Sequence, residues 1–539
     1  MQNESTSSAD RRSLIFIAAA ALCSAASVAI GLLAPDLSLR WWMFALWFPT
    51  VVLAIGHVVF SGSCAGCAAS AASPISRHEK LLHRALLLAV CLGYVAFLSS
   101  YPFVAIHDEV RDGGLRAQEI ANGSFRNIFG RDWSQGLYFA TLGSLLYRIT
   151  GPDVLAYRAL GAMFGVLEVW LIYAGFGRVI GARPALIAAL IAGTNTCCMT
   201  FARTETLISL TPLTITAMLL LSVRFLDARG TQIVVLAAAS GMILGLSVGQ
   251  HASARAPIAL LWALLVAVSL MRGRRIRLSS SPVPALAALL LGALIGLGPQ
   301  LLYLDSDSFM RSGTVTTTLT FVQLAQRYWQ SILVLFGAPP GLRLGGGALI
   351  PWDVSLLSAA AAVAAVFTRS PLSLISAGLI AALLFTNSAI TDLAGQAYRL
   401  TGIVPLAAIL VADLLRTIRA RGYRLVFTAL ACAIVPMRLL ELGDFFWSRR
   451  ASEGQSVQLL RPAFIAMRHV ALRVAADPRW RNGDSLVIYH QSRSGIGTLL
   501  SAPHVAEFFS FFLPAQQLVL RPTHSLPDRT LFISPRDGL

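Results

Sequence analysis

The sequence predicts an all-α protein that crosses a membrane about thirteen times, followed by a small α/β segment at the C-terminal end. Three observations predict this. Of the 539 residues 56% are hydrophobic and only 13% charged, against about 25% charged in soluble domains. The mean hydropathy is +0.68. Finally, apolar runs long enough to match the hydrocarbon thickness of a bilayer recur along most of the chain, with arginines gathered in every second gap between them.

The apolar runs cover residues 13–34, 41–60, 84–104, 154–176, 184–202, 207–226, 232–249, 256–271, 283–304, 353–367, 372–390, 400–415 and 425–441. Backbone groups in lipid must be hydrogen-bonded within the segment, so each run is read as a helix. The first follows Arg11 and Arg12 like a signal peptide. It is read as a retained helix, because it is long and a second run follows at once.

The gaps after runs 2, 4, 6, 8, 10 and 12 hold Arg77, Lys80 and Arg84; Arg178 and Arg183; Arg224 and Arg229; Arg272, Arg274, Arg275 and Arg277; Arg369; and Arg416, Arg419, Arg421 and Arg424. Such a bias marks the cytoplasmic side, which places the N-terminus inside and the C-terminal segment outside. It also accounts for the net charge of +17 without nucleic acid, for which no reading motif is present. Two long exterior stretches follow, 105–153 and 305–352. Within them 108–122, 135–149 and 315–336 have helical character. Residues 135–149 carry an apolar face of Tyr138, Leu142, Leu145, Leu146 and Ile149, as a helix lying in the interface plane does.

Beyond residue 450, SLVIY (485–489), QLVLR (517–521) and TLFIS (530–534) read as strands, and 455–475 and 503–512 as helices. The domain division is therefore 1–83, two N-terminal helices and a cytoplasmic loop; 84–445, the main membrane domain; and 446–539, an exterior α/β domain.

The seven cysteines imply no disulfide framework. Cys64, Cys67, His78 and His83 approximate a zinc spacing, but the intervening residues are mostly Ala and Ser. Free cytosolic thiols are the better reading, and no metal or cofactor is assigned. Glu168 and Arg438 lie inside apolar runs, where a charge is costly. Glu168 suggests either a proton pathway or a structural hydrogen bond to a neighbouring helix.

The sharpest polar group is His107-Asp108-Glu109 at the exterior end of the third run. A polar helix follows it (DEVRDGGLRAQEIANG), then Trp133, the amphipathic 135–149 segment, and a run opening Tyr157-Arg158 through Gly161 and Gly165. The next run returns to the exterior at FARTET, which contains Glu205. Further on come GQHASARAP (249–257), with Arg255, and QAYRLTGIVPL (396–406), with Gln396 and Arg399.

In order and topology this layout, over about residues 84–420, resembles the GT-C glycosyltransferases, in the branch of protein O-mannosyltransferases and lipid A aminoarabinose transferases. Residues 1–83 are additional to that pattern. Trp133-Ser134-Gln135-Gly136 stands where the aminoarabinose branch has Glu-Lys-Pro, and Glu205 stands where an Asp is usual.

The resemblance implies a GT-C fold with exterior juxtamembrane helices. It implies transfer of a sugar from a polyprenyl-phosphate donor to a hydroxyl on a glycan, lipid or protein acceptor. The Ala- and Arg-rich composition, with Lys80 the single lysine, points to a bacterium and hence to its plasma membrane. Asp108 would be the general base, with Glu109 beside it. His107, Glu205 and Gln396 would bind substrate, and Arg255 and Arg399 would take the charge of the departing lipid phosphate. Attack opposite the phosphate would invert the anomeric centre. The alternatives are a transporter or flippase of a lipid-linked or small substrate, and a scaffold without activity.

Overall fold

The computed structural model describes residues 8–33, 37–61, 75–96, 98, 114–122, 131–132, 135–136, 138–151, 154–204, 206–250, 252–275, 282–303, 320–335, 349–390, 400–447, 485–490, 517–522 and 532–535. The protein is an all-α, multi-span membrane protein across residues 8–447. Among the described residues, eight helices are long and apolar enough to cross a membrane, or nine if one bent pair counts as a single span.

In chain order the helices are α1 (Ser8–Leu33), α2 (Leu37–Ser61), α3 (Arg77–Val95), α4 (Arg116–Ala121), α5 (Tyr138–Thr150), α6 (Val154–Trp170), α7 (Ala182–Gly193), α8 (Thr196–Thr204) and α9 (Thr206–Asp227). They continue with α10 (Thr231–Ser247), α11 (Ala252–Arg275), α12 (Val283–Leu297), α13 (Phe321–Leu335), α14 (Trp352–Thr368), α15 (Pro371–Ile390), α16 (Ile403–Ala420) and α17 (Arg424–Trp447). Each of the thirteen apolar runs coincides with a helix or a broken pair. Five do not meet the length and apolarity criterion as single spans. The pair α7–α8 is bent by 60°, and α10 and α14 are short. α3 opens on the charged turn RHEK, and α16 carries Asp413, Arg416 and Arg419.

Helix breaks have local causes. Between α7 and α8, the Asn195 Oδ1 accepts the amide of Cys198 at 3.0 Å, and its Nδ2 donates to the Leu349 carbonyl at 2.9 Å. Asn195 thus caps the second helix while pinning the break to another part of the bundle. α6 passes into a π-helical turn, Leu171–Phe176, before Gly177–Ile180. α3 starts with Ser76 accepting the Glu79 amide, half of a capping box.

α16 is buried on all sides from Ile403 to Asp413, as a helix at the centre of a bundle must be. Its Asp413 accepts the hydroxyls of Ser370 and Ser373, at the start of α15, and the Arg416 Nε at 2.7 Å. Peripheral helices instead turn leucine, valine and phenylalanine outward: Leu290, Leu291, Val363, Val366 and Phe367 are exposed, which in this class of protein is the lipid face.

The tightest helix pair is α10 with α12. Gly241 and Gly245 on one helix meet Gly292 and Gly296 on the other. A β-carbon at Gly292 would lie 2.1 Å from the Ala238 carbonyl oxygen, and one at Gly241 2.2 Å from that of Leu289. Two small-xxx-small repeats facing each other bring the backbones into direct contact.

α12 ends because Gly298, at φ +47°, and Pro299 cannot continue it. Pro299 has no N–H, so the Ile295 carbonyl loses its helical donor. Trp47 of α2 fills the vacancy through its indole N–H at 2.8 Å, and Ser24 of α1 adds its hydroxyl at 3.2 Å. A side chain at Gly298 would strike the same indole, 2.3 Å from Nε1. The N-terminal pair α1–α2 is thereby docked on the end of α12.

Between α4 and α5 the structure corrects the sequence reading. The expected helix at 135 begins at Tyr138. Gln135–Gly136 instead pairs antiparallel with Arg131–Asp132 as a two-residue ladder, β2 with β1. Gly136 disfavours a helix start there. In the C-terminal segment, β3 (Ser485–His490) lies between β4 (Gln517–Pro522), parallel to it, and β5 (Phe532–Pro535), antiparallel. The helices expected at 455–475 and 503–512 lie outside the described residues.

Candidate functional site

The most distinctive polar construction is a set of arginines placed on the C-terminal carbonyls of helices. Arg203 on α8 is fully buried. Its Nη1 donates to the carbonyls of Gly93 and Tyr94 at 2.8 Å each, and its Nη2 to Ala96 at 2.6 Å. Arg158 on α6 continues the series with a 3.0 Å bond to Leu98. The last turn of α3 and the residues after it are thus held by two guanidiniums from two other helices. The last four carbonyls of a helix have no intrahelical donor, and the negative end of the helix dipole favours a cation.

The faces of Arg203 are covered as well. Its Cζ lies 5.9 and 5.5 Å from the ring centroids of Phe445 and Phe446 at the end of α17, within cation–π range. Three helices, α3, α8 and α17, therefore meet at this one guanidinium. Close by in the chain, Arg148 on α5 donates to the Ala121 carbonyl at 3.0 Å, closing the end of α4 in the same way. Tyr147 is hydrogen-bonded to Gln118 of α4, while burial pushes its phenol up from the ordinary tyrosine value.

Of the seven residues singled out from the sequence, His107, Asp108, Glu109, Glu205, Gln396 and Arg399 lie outside the described residues. Some of their described neighbours meet at α8, whereas Ile120, on the other side of Asp108, packs with Met43, Phe44 and Met242. Leu98 and the end of α3 are bonded to Arg158 and Arg203. Thr204, which precedes Glu205, ends α8 itself. Thr401, two residues after Arg399, receives the Cys198 Sγ of α8 on its carbonyl at 3.8 Å.

Arg255 is described. It stands half-buried in the first turn of α11, and its Nη2 donates to the Gln250 carbonyl at 2.7 Å. The side chain of Gln250 accepts the Thr214 hydroxyl of α9 at 3.0 Å. Thr214 lies eight residues beyond Thr206, about 12 Å along the helix. Arg255 thus belongs to a polar turn between α10 and α11, fixed to α9.

Two intramembrane charges raised by the sequence have definite settings. Arg438 on α17 is buried between two carboxylates, Asp353 of α14 at 2.8 Å and Glu441 at 2.5 Å. Glu168 has no hydrogen bond or ion pair to another described residue, so the expected structural bond to a neighbouring helix is not found among them. At the other end of the bundle, His83 is engaged by Tyr173 Oη at 3.1 Å and by Glu79 at 3.7 Å, and Glu79 is gripped by the Arg183 guanidinium through both oxygens. Cys64 and Cys67 lie outside the described residues, among which no cluster of three or more His, Cys, Asp or Glu could hold a metal.

Sequence reasoning placed Arg158 in a helix-start motif and passed over Arg203 as a functional residue. The available signal was a single basic residue in an otherwise uncharged stretch, TCCMTFART.

No family model matches the chain, and no curated protein matches it. Among solved structures, the fold is similar to that of ArnT. The ArnT of Cupriavidus metallidurans bound to undecaprenyl phosphate aligns at a TM-score of 0.43 and 15% identity, over 82% of this chain and 76% of that one. The apo form of the same protein aligns at 0.42 and 16%, over 81% and 75%.

Proposed function

We propose that the protein is a membrane glycosyltransferase. It moves a sugar from a polyprenyl-phosphate donor to an acceptor hydroxyl at the exterior face, with inversion. Asp108 acts as the general base toward the hydroxyl and Glu109 assists it. His107, Glu205 and Gln396 hold sugar or acceptor, and Arg255 and Arg399 stabilise the lipid phosphate as the glycosidic bond breaks. The chain spans the membrane about thirteen times with its N-terminus in the cytoplasm of a bacterial cell. Residues 84–445 form the catalytic domain and 446–539 an exterior domain.

One observation supports this reading beyond the sequence pattern. The residues next to Glu205 and Arg399 meet at α8, which also holds the end of α3 through buried Arg203. A site whose groups come from distant parts of the chain needs such a joint, because misplacement by about 1 Å can cost 100-fold in rate. The transporter or flippase alternative rests on Glu168, a carboxyl within the bundle.

Release of polyprenyl phosphate from a panel of polyprenyl-phosphate sugars by the reconstituted full-length protein tests the proposal. Asp108→Asn is expected to lower that release about 100- to 10,000-fold with folding intact. Undiminished turnover by the variant would remove Asp108 from the mechanism.

A further inference from the structure

One buried acid is used neither by the arginine caps nor by the proposed chemistry. Glu168 lies in α6, 4% exposed, and its Oε1 is sealed from solvent with no hydrogen-bond partner. Tyr94 of α3 packs beside it. The Tyr94 ring lies so close to Gly165, one turn earlier in α6, that a β-carbon there would come within 2.2 Å of Cε1. The Tyr94 hydroxyl is also fully buried and unpartnered. Tyr94 and the Cys198 thiol of α8 both lie near Glu168, and Cys91 lies near Tyr94.

Among the described residues, no cation from the packed helices balances this carboxyl. Arg203 turns its guanidinium to the carbonyls of Gly93, Tyr94 and Ala96. On α7 the only charge is Arg183, bonded to Glu79. On α9, Arg224 and Asp227 stand at the far end, with Arg224 on the carbonyls of Val58 and Val59. Cys197 and Glu441 interact with Cys198 and bring no positive charge. An ionised carboxylate in such surroundings is an uncompensated charge, and a group so placed takes up a proton instead.

We infer that Glu168 is a proton-binding site inside the helix bundle, carried as the neutral acid and enclosed by Tyr94, Cys198 and the bare backbone at Gly165. The proton comes from solvent, and no other reactant is needed. Tyr94 joins this site to the end of α3, because its ring packs beside Glu168 and its carbonyl is one of the three that Arg203 holds. Occupancy of the proton site is thereby tied to the mechanical state of that end. The inference is independent of the glycosyltransferase reading.

The test compares full-length wild type with Glu168→Gln in lipid nanodiscs at neutral pH by infrared difference spectroscopy. The expected result is the carbonyl stretch of a protonated carboxylic acid in wild type and its loss in the variant. Carboxylate bands in its place overturn the inference. Thermal unfolding gives a second readout. A neutral acid in the fold becomes ionised on unfolding, so wild type should lose stability as pH rises while the variant shows no matching loss; parallel curves overturn the inference. If glutamine is not tolerated, Glu168→Leu supplies the reference. Failure of both to fold would mean that the charged form is needed, and also overturns it.

Discussion

The seam between α10 and α12 and the knot at the end of α3 join helices by opposite means. At the seam the contact is backbone on backbone. Gly241, Gly245, Gly292 and Gly296 remove every β-carbon that would separate the backbones, and association comes from dispersion and close Cα–H···O contacts. At the knot one charged side chain reaches three carbonyls and two aromatic rings. The seam depends on volume and the knot on charge. The seam belongs to the part of the bundle that carries the N-terminal pair, whereas the knot joins the ends of α3 and α17 to α8.

Substitutions at three positions break the comparison at different points. Gly292→Leu has the largest expected effect. It drives a side chain into the Ala238 carbonyl, where backbone must move, and should cost about 3 kcal/mol or more, seen as loss of monodisperse protein after extraction. Arg203→Met keeps the length of the stem and removes the charge. It strands the carbonyls of Gly93, Tyr94 and Ala96 and should cost about 2–3 kcal/mol, measured by thermal unfolding. Arg203→Lys should recover less than half of that, since a single ammonium cannot reach as a fork does. If Arg203→Met matched wild type, the knot would be a matter of volume too, and the contrast would fail. Trp47→Phe is the mildest. It keeps the ring near Gly298 but returns the Ile295 carbonyl to a single donor, for a loss of about 1 kcal/mol.

Much of the bundle was legible because hydrophobic length is a local signal. Every apolar run became helix, and the breaks fell at Asn195, Gly298 and Pro299, residues whose chemistry favours a stop. The Gly241/Gly245 and Gly292/Gly296 repeats are equally visible, but their partnership is a tertiary fact. The arginines were harder. Counting Arg178, Arg183 and Arg224 as one-sided loop charge gave a topology but not their contacts. Arg178 binds the Phe60 carbonyl, Arg224 those of Val58 and Val59, and Arg183 pairs with Glu79. The caps by Arg178 and Arg224 join a side chain to a carbonyl more than a hundred residues away, and spacing carries no trace of them. At the candidate site, Arg255 was legible as a polar turn residue. Its attachment to Gln250 and, through it, to Thr214 was not, because the two helices that meet there are linked only in three dimensions.

The vacancy that Pro299 leaves on Ile295 bears on the order in which the chain is made. Trp47 and its acceptor are 248 residues apart, so at bacterial or eukaryotic rates of synthesis about 10 to 50 s separate them. Through that interval α1 and α2 are already in existence while their docking point is still unwritten. The indole N–H, which is at home at the water interface, can satisfy itself there in the meantime. The pair is thus suited to wait as an independent hairpin and to close onto the bundle only when α12 ends, so that helices made well before α12 are seated no earlier than it.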